Sequence, residues 1–552
     1  RDTYFSESMK RLTTGSELTH SRISYLLGTA ILFLDAYKED NRYKSYLDFG
    51  YYIILRYSLI TNEYKPLYDI SISAGFYPIS EYILKNNLIP LHIEDAIIKA
   101  GIERFRHQEN YIETLEQYSR SSDFFQDNSL EKTYLAPTSY GKSALIVESI
   151  KRSIDSDKKI AIVVPTKSLL MQTYRLIRDA NLGKKILVHD EMYNNEDEFI
   201  AVFTQERALR LINRKSIIFD LIFVDEAHNI FKKDDRSILL SRLISRNKIK
   251  NKNQKVIYLS PLIDDSANLK VNIEQEISSH VIHFNIKEPR YFEYRLNGST
   301  YLYNRFINKF YELGESSGIL AYIISSAKSK NFLYNYRPVK IEKLAKDLSN
   351  YLQPIEISNE ISTIIRILEK EVHPKFYAQE CIKYGVVYIH GKLPDIIKEY
   401  LEFKFKTLVE IKFIIANSVI LEGMNLPIDN LFILNTYNLQ GKELVNLIGR
   451  VNRLNSIFSE QDGDLHKLEP SVHFVNNEEH NRRGSNMSNK IELLRNRSFI
   501  DKVENPVLEN FNIDKLDDAQ KEKALGKIEN ENLLLNTDDE SDNDLLKYLI
   551  ES

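Results

Sequence analysis

The feature that most constrains the fold is an alternation of two kinds of segment that begins near Lys132. Short apolar runs that end in small or polar residues are separated by amphipathic helical stretches. The runs are Thr133–Ala136, Ile160–Val164, Ile200–Phe203, Leu221–Val224 and Val256–Leu259. Strands that alternate with helices pair in parallel, with helices on both faces of the sheet. The pattern therefore predicts an α/β domain over residues 126–287.

The pattern breaks at Lys287–Arg290 and then starts again. The new runs are Phe332–Tyr334, Val386–Tyr388, Phe413–Ala416 and Leu431–Leu434, which predict a second α/β domain over residues 288–480. Residues 1–125 have apolar residues at helical spacing and no catalytic motif, which predicts an all-helical N-terminal domain. Residues 481–552 are predicted to be a helical, acidic C-terminal segment.

Composition excludes several classes of protein. The chain has one cysteine, so neither a disulfide framework nor a multi-cysteine zinc site is expected. Its apolar stretches are interrupted and shorter than the ~18–20 residues that a membrane span needs. Because the net charge is −4, the whole chain lacks the basic signature of many nucleic-acid-binding proteins. We expect an intracellular protein with no membrane partner.

A phosphate-binding loop is predicted between the first strand and its helix. The segment Ala136-Pro-Thr-Ser-Tyr-Gly-Lys-Ser143 is close to the pattern G-x-x-x-x-G-K-[ST] in its usual context. Gly141 and the helix start would turn backbone N–H groups toward phosphates, with Thr138 and Ser139 in the same loop. Lys142 would reach the β- and γ-phosphates, and Ser143 would hold Mg²⁺. A chance Gly-Lys-Ser at a helix start is the alternative, because Ala136 replaces the first glycine.

An acidic pair follows a buried strand in the same predicted domain. In Leu221-Ile-Phe-Val-Asp-Glu-Ala-His228, Asp225 could hold Mg²⁺ at the strand tip, and Glu226 could deprotonate the attacking water. An ordinary helix start with an aspartate cap is the alternative. That alternative does not explain why the pair follows an apolar run beside a phosphate-binding loop.

These residues resemble the DExH (DEAH box) group of superfamily 2 helicases, whose motifs occur here in the family's order. After the phosphate loop come segments that resemble motifs Ia, Ib, II, III, IV, V and VI, which start at Val164, Thr204, Asp225, Ser260, Tyr334, Ala416 and Asn446. The resemblance covers about residues 133–455. It implies two tandem RecA-like domains, ATP with Mg²⁺ as cofactors, and ATP hydrolysis coupled to nucleic acid.

The resemblance also implies roles for individual residues. Arg450 and Arg453 would reach the γ-phosphate when the two domains close, and Gly423 would lie at the nucleotide. Residues implied to contact a nucleic-acid strand, most simply single-stranded or tailed duplex DNA, are Pro165, Thr166, Lys167, Thr204, Arg207, Arg337, His390, Gly391, Asn417 and Ser418. Besides Ala136, four substitutions depart from the family pattern: Ser139 replaces a glycine, Asn417 a threonine, Asn446 a glutamine and Asn452 a glycine.

The sequence of motif V, Leu-Glu-Gly-Met-Asn-Leu-Pro427, resembles that of the Ski2-like branch of these helicases. Within it, the chain is most similar to the helicase subunit of bacterial antiphage defence systems such as Hachiman. That resemblance implies a cytoplasmic bacterial protein with a nuclease subunit as partner. Three alternatives stay open: a nucleic-acid-gated ATPase that regulates a partner without unwinding, an RNA helicase, and an unrelated P-loop ATPase or kinase.

Overall fold

A computed structural model describes residues 3–40, 42, 44–108, 111–215, 217–231, 235–261, 269, 276–373, 376–417, 426–437, 439, 441–481 and 486–495. The described chain divides into two compact units. The first unit contains residues from 1–120, 137–140 and 282–499, and the second contains residues from 121–136 and 141–281. The predicted acidic segment lies outside the described residues from position 496 onward.

The N-terminal region is helical up to Ile102. Its helices are α1 (Thr3–Thr14), α2 (His20–Glu39), α3 (Lys44–Thr61), α4 (Lys65–Ser73), α5 (Tyr77–Lys85) and α6 (Ile93–Ile102). A short antiparallel ribbon of β1 (Arg106–Gln108) and β2 (Tyr111–Ile112) follows, and then α7 (Leu115–Gln126). Helix α3 is buried on all sides, with Tyr51, Ile53 and Leu55 fully covered, as expected of a central helix that is apolar around its circumference.

The second unit contains a parallel sheet with helices between its strands. The strands are β3 (Glu131–Leu135), β4 (Lys159–Val163), β5 (Lys185–Leu187), β6 (Phe199–Phe203), β7 (Leu221–Val224), β8 (Lys255–Ser260) and β9 (Ser278–Val281). Among the described residues the strand order is β5-β6-β4-β7-β8-β3-β9. The helices are α8 (Lys142–Ser153), α9 (Lys167–Asp179), α10 (Gln205–Lys215) and α11 (Asp235–Lys250).

The first unit contains a larger, mixed sheet. Its strands are β10 (Arg290–Tyr294), β11 (Ser299–Asn304), β12 (Lys309–Glu315), β13 (Asn331–Tyr334), β14 (Val386–Ile389), β15 (Phe413–Ala416), β16 (Asn430–Ile433) and β17 (Ser471–Val475). In the part of the chain that is described, their order is β12-β11-β10-β17-β16-β13-β15-β14, parallel except where β10, β11 and β12 pair antiparallel. The helices are α12 (Ile319–Ser325), α13 (Pro338–Tyr351), α14 (Asn359–Glu371), α15 (Ala378–Ile382), α16 (Asp395–Thr407), α17 (Gly441–Gly449), α18 (Leu454–Ile457) and α19 (Met487–Leu493).

The predicted fold class is confirmed: a parallel sheet and a largely parallel one, both with helices between strands, follow a helical N-terminal region. Each of the nine apolar runs named above contains or overlaps a strand. The apolar runs did not predict the ribbon of β1 and β2, which lies in the region expected to be all-helical, or β5, β9, β17 and the antiparallel strands β10–β12. The antiparallel strands could not be predicted in this way because the outer strand, β12, is mostly exposed and lacks an apolar run. Within the described residues, no helix is long and apolar enough to cross a membrane.

Buried charges join the N-terminal helices to the mixed sheet of the first unit. Arg56 of α3 donates to Glu469 Oε2 at 2.6 Å and to the carbonyl oxygens of Leu12 and Thr13, near the end of α1. Both partners of the ion pair are less than a tenth exposed. Arg305, which follows β11, pairs with Glu288 at 2.7 Å and lies 3.4 Å from Asp48 of α3. Removing one member of a buried pair would leave the other charge buried without a partner, at a cost in free energy. These contacts therefore hold the helices against the sheet.

Candidate nucleotide and nucleic-acid sites

The phosphate loop leaves the carboxyl end of β3 and enters α8, as the sequence predicts. Gly141 is the N-cap of α8 with φ 74°, and Ser139 has φ 76°. The left-handed region is ordinary for glycine but strained for serine. Ser139 Oγ is nevertheless buried with no hydrogen-bond partner. A buried hydroxyl of this kind fits an anionic ligand, because a phosphate oxygen would accept its hydrogen bond.

The chain anchors this loop on both sides. The Ala136 N–H donates to the Ser260 carbonyl at 3.1 Å, which ties the loop start to the end of β8. The Tyr140 side chain is buried, and its hydroxyl accepts a hydrogen bond from the Ile286 N–H at 2.9 Å. Lys142 Nζ donates to the Ala136 carbonyl at 2.8 Å, so its ammonium group lies over the loop. The anchored loop and its cation form the arrangement that binding of β- and γ-phosphates requires.

The acidic pair stands at the end of β7. Glu226 is left-handed with φ 51°, and its N–H is held by Asp225 Oδ1 at 2.9 Å. His228 Nδ1 lies 3.4 Å from Glu226 Oε2 and 3.2 Å from Ser260 Oγ. Since β8 pairs with both β3 and β7, Ser260 lies at the strand end between the phosphate loop and the acidic pair. Glu226 Oε2 is buried and makes no hydrogen bond, so the contact between His228 and Ser260 is the link from the acidic segment to the end of β8.

A divalent cation would have few protein ligands here. Among the described residues, no group of three or more His, Cys, Asp or Glu side chains is placed to hold a metal ion. The donor set present, the Ser143 hydroxyl and the Asp225 carboxylate, consists of oxygen atoms, which Mg²⁺ prefers. Mg²⁺ bound by only one or two protein groups characteristically takes its other ligands from water and substrate phosphates. The residues therefore fit a magnesium ion that enters with a nucleotide.

The candidate strand-contacting residues of the second unit lie at the same sheet edge. Pro165–Lys167 follow β4, and Thr204 and Arg207 follow the neighbouring strand β6. Thr166 Oγ1 accepts from the Leu169 N–H and so caps α9, while Lys167 is exposed. Arg207 donates to the Val188 carbonyl at 2.7 Å, which gives it a structural contact as well. Lys167 is therefore the more accessible of the two cations.

The candidates of the first unit differ in accessibility. Arg337 is exposed at the N-cap of α13, and Gly391 is exposed after β14. His390 is only 2% exposed, its Nε2 lies 2.9 Å from Glu342 Oε1, and burial lowers the pKa of its imidazole. A strand at this position would therefore meet Gly391 before the His390 ring. Asn417 follows β15, whereas Ser418 and Gly423 lie outside the described residues.

The two motif VI arginines follow α17 in a tightly held turn. Arg450 is 4% exposed, and Arg453 is the N-cap of α18. Between them, Asn452 adopts φ 48° and its side-chain amide donates to the Lys467 carbonyl at 3.0 Å. Asparagine tolerates this left-handed conformation better than most residues. The replacement of the family's glycine by Asn452 is therefore compatible with the turn.

Sequence reasoning missed the residue that holds this turn, Lys287. Its ammonium group is fully buried and donates to the carbonyl oxygens of Gly449 at 2.8 Å and Val451 at 3.0 Å. These carbonyls flank Arg450. Burial, with a smaller contribution from the charge of Arg453, lowers the pKa of Lys287 to about 7. A lysine at the break between the two predicted α/β domains carries no sequence signal of such a role.

Comparison with known proteins agrees with this geometry. Residues 105–266 match the family model described as DEAD/DEAH box helicase. The chain is also similar to an ATP-dependent DNA helicase, Hel308, of Thermoplasma acidophilum, with 24% identity over 309 residues. That alignment covers 53% of this chain and 42% of the relative, so the similarity spans less than half of the Hel308 protein. Residues 105–266 are therefore similar to a DEAD/DEAH box helicase domain, and they contain both the phosphate loop and the acidic pair.

Proposed function

We propose that this protein is a nucleic-acid-dependent ATPase that moves along or unwinds DNA as a superfamily 2 helicase of the Ski2-like branch. The observation that carries the proposal is the arrangement at the carboxyl edge of the parallel sheet of the second unit. There Lys142 follows β3, Glu226 follows β7, and Ser260 ends the strand between them. A phosphate cradle, a candidate base and a side-chain link between strand ends are the parts that coupled phosphoryl chemistry needs.

In this mechanism, Gly141, Lys142 and the start of α8 bind the phosphates of ATP. Ser143 and Asp225 would hold Mg²⁺, which neutralises charge on the phosphates when bound. Glu226 orients and deprotonates the attacking water, and His228 links the segment that carries Glu226 to Ser260. Arg450 and Arg453 stabilise the charge that develops on the γ-phosphate. An arginine supplied in this way accelerates hydrolysis by roughly 10³- to 10⁵-fold.

Strand displacement tests this proposal directly. A fluorescently labelled duplex with a single-stranded tail is incubated with the protein and ATP–Mg²⁺, and release of the labelled strand is followed. We expect release by the wild type and none by Lys142→Ala. Equal release by both would contradict the proposal, whereas ATP hydrolysis without release would favour the regulatory ATPase. Release from an RNA duplex alone would identify an RNA helicase.

The regulatory alternative has one structural feature in its favour. The N-terminal helices are fixed to the mixed sheet by the buried Arg56–Glu469 pair, so movement of that sheet would move them as well. A bound partner could sense nucleotide state through such a coupling.

We further propose, from the resemblance to Hachiman, that the chain serves in bacterial antiphage defence with a nuclease subunit. The test is phage plating efficiency on cells that express this chain with the nuclease encoded nearest to its gene. Protection by the wild type and loss of protection in Lys142→Ala would support the defence role. Equal plating with and without the pair would contradict it.

A further inference from the structure

A polar cavity of about 260 Å³ opens in the first unit, at the carboxyl ends of neighbouring parallel strands. Tyr336 and Arg337 follow β13, Asn435 and Tyr437 follow β16, and three further residues come after β17. The residues that line it are Tyr336, Arg337, Lys340, Asn435, Tyr437, Glu479, His480 and Asn481. The carboxyl edge of a parallel sheet is where α/β proteins characteristically bind ligands.

Two tyrosine rings form one side of this cavity. The ring centroids of Tyr336 and Tyr437 are 4.7 Å apart and the planes are inclined by 57°. Tyr437 remains 42% exposed although it contacts a second aromatic ring. Aromatic side chains that stay accessible beside cationic groups are typical of sites where nucleobases stack.

The charges around the cavity favour an anion. Arg337 and Lys340 line it, and Lys343 lies on the same helix, α13. Against these three cations stands one carboxylate, Glu479, whose Oε1 lies 2.5 Å from Lys343 Nζ and 3.9 Å from Lys340 Nζ. The N-terminus of α13 begins at Pro338 beside the cavity and adds a positive helix dipole. The balance of charge suits a phosphate group.

His480 contributes a neutral ring. Asn335 Nδ2 donates to His480 Nδ1 at 2.7 Å, which leaves the ring proton on Nε2. Burial lowers the pKa of this imidazole to about 4, so the ring is uncharged at neutral pH. The positive charge at the cavity therefore comes from the cations and the N-terminus of α13, and not from His480.

The amide side chains of the lining support the local backbone. Asn435 Nδ2 donates to the His480 carbonyl, and Asn435 Oδ1 accepts from the Tyr437 N–H at 2.7 Å. Asn481 Nδ2 donates to the Leu434 carbonyl at 2.8 Å. These contacts hold Tyr437 in place. Each of these two amide groups uses one N–H on the backbone, so we expect stacking and charge to contribute most of the recognition, with little preference for base sequence.

We propose that this cavity binds one nucleotide unit, with its base against Tyr437 and Tyr336 and its phosphate toward Arg337 and Lys340. The unit comes from a bound single strand or from a free mononucleotide. The strand form rests on the proposed nucleic-acid function. In that form, the cavity provides a base-stacking subsite, whereas the other proposed strand contacts are made to the sugar–phosphate backbone.

Binding of two fluorescent single-stranded probes tests the proposal. One is oligodeoxythymidine, and the other has the same length and phosphates but abasic sugars. Tyr437→Ala is compared with Tyr437→Phe and with a control at another exposed tyrosine, Tyr351→Ala, whose ring is 55% exposed on α13. Since stacking contributes ~1–3 kcal/mol per base, Tyr437→Ala should bind oligodeoxythymidine ~5- to 150-fold more weakly. It should bind the abasic probe like the wild type, and Tyr437→Phe and Tyr351→Ala should retain wild-type affinity for both.

The outcomes separate the inference from the proposed function. If the wild type binds the oligodeoxythymidine probe and Tyr437→Ala binds it equally well, the stacking subsite is refuted while the proposed function stands. If the wild type binds neither probe, nucleic-acid binding itself is refuted. Titration with thymidine monophosphate distinguishes the sources. If thymidine monophosphate binds to Lys142→Ala but not to Tyr437→Ala, the ligand of the cavity is a free nucleotide. If the oligonucleotide binds and thymidine monophosphate does not, the ligand is a single strand.

Discussion

Replacement of Lys287 by methionine should change how the stability of the protein depends on pH. In the unfolded chain this lysine keeps its proton up to its ordinary pKa of 10.5, but in the folded protein burial lowers the pKa to about 7. Between these two values the unfolded state binds more protons, so the free energy of unfolding contributed by Lys287 rises with pH. Methionine has a similar length and no charge, and therefore removes this contribution.

The magnitude follows from the pKa shift. The difference between the pKa values of Lys287 in the folded and unfolded states corresponds to a free-energy cost of ~5 kcal/mol for burying the charged ammonium group at pH values below both pKa values. Integration over the folded and unfolded titrations gives ~2–3 kcal/mol of stability gained by the wild type between about pH 6 and pH 9. Loss of the donor to the Gly449 and Val451 carbonyls shifts the stability of the variant by a further ~1–3 kcal/mol per stranded group, but this shift does not depend on pH.

Urea unfolding followed by far-ultraviolet circular dichroism at several pH values gives the comparison. Lys370→Met is the matched control, because the Lys370 side chain is 84% exposed. We expect the wild type and Lys370→Met to gain stability with rising pH relative to Lys287→Met. Identical pH profiles for all three proteins would show that the Lys287 ammonium group is not desolvated in the folded state, and would refute the reasoning.

Three further predictions concern catalysis and stability. Lys142→Ala should abolish ATP hydrolysis, and turnover at the wild-type rate would refute the phosphate-loop assignment. Arg453→Ala should bind a fluorescent ATP analogue normally but hydrolyse ATP roughly 10³- to 10⁵-fold more slowly, and an unchanged rate would remove its proposed role. Arg56→Met should lower the free energy of unfolding by ~3–5 kcal/mol, because it strands the Glu469 carboxylate. The double variant Arg56→Met/Glu469→Leu should recover most of that loss, and no recovery would mean that the pair does not carry the effect.

Much of the fold could be predicted because its strands and its phosphate loop have recognisable patterns within short segments of the sequence. Central parallel strands are buried on both faces and read as continuous apolar runs, as at Leu221–Val224, where every residue is buried. The phosphate loop carries glycine and lysine at fixed spacing for a chemical reason. Strand β12 and the ribbon near Arg106 lack such patterns, because edge and exposed strands bury too little apolar surface to create one.

The parts that could not be predicted depend on tertiary contacts. Lys287 lies in a segment that appears in the sequence only as a break, and its role arises because folding brings it to the turn after α17. The partner of the buried His390 ring is Glu342, which is 48 positions away in the chain. Tyr437 gains a partner ring from another strand end. Single-residue identity carries no information about contacts of this kind.

The central claim is that ATP hydrolysis at the phosphate loop is coupled to nucleic acid. The most direct measurement is the steady-state rate of ATP hydrolysis with no nucleic acid, with single-stranded DNA and with single-stranded RNA, for the wild type and Lys142→Ala. The account predicts a low basal rate, strong stimulation by single-stranded DNA and no turnover by the variant. A wild-type rate that is the same with and without either nucleic acid would contradict it.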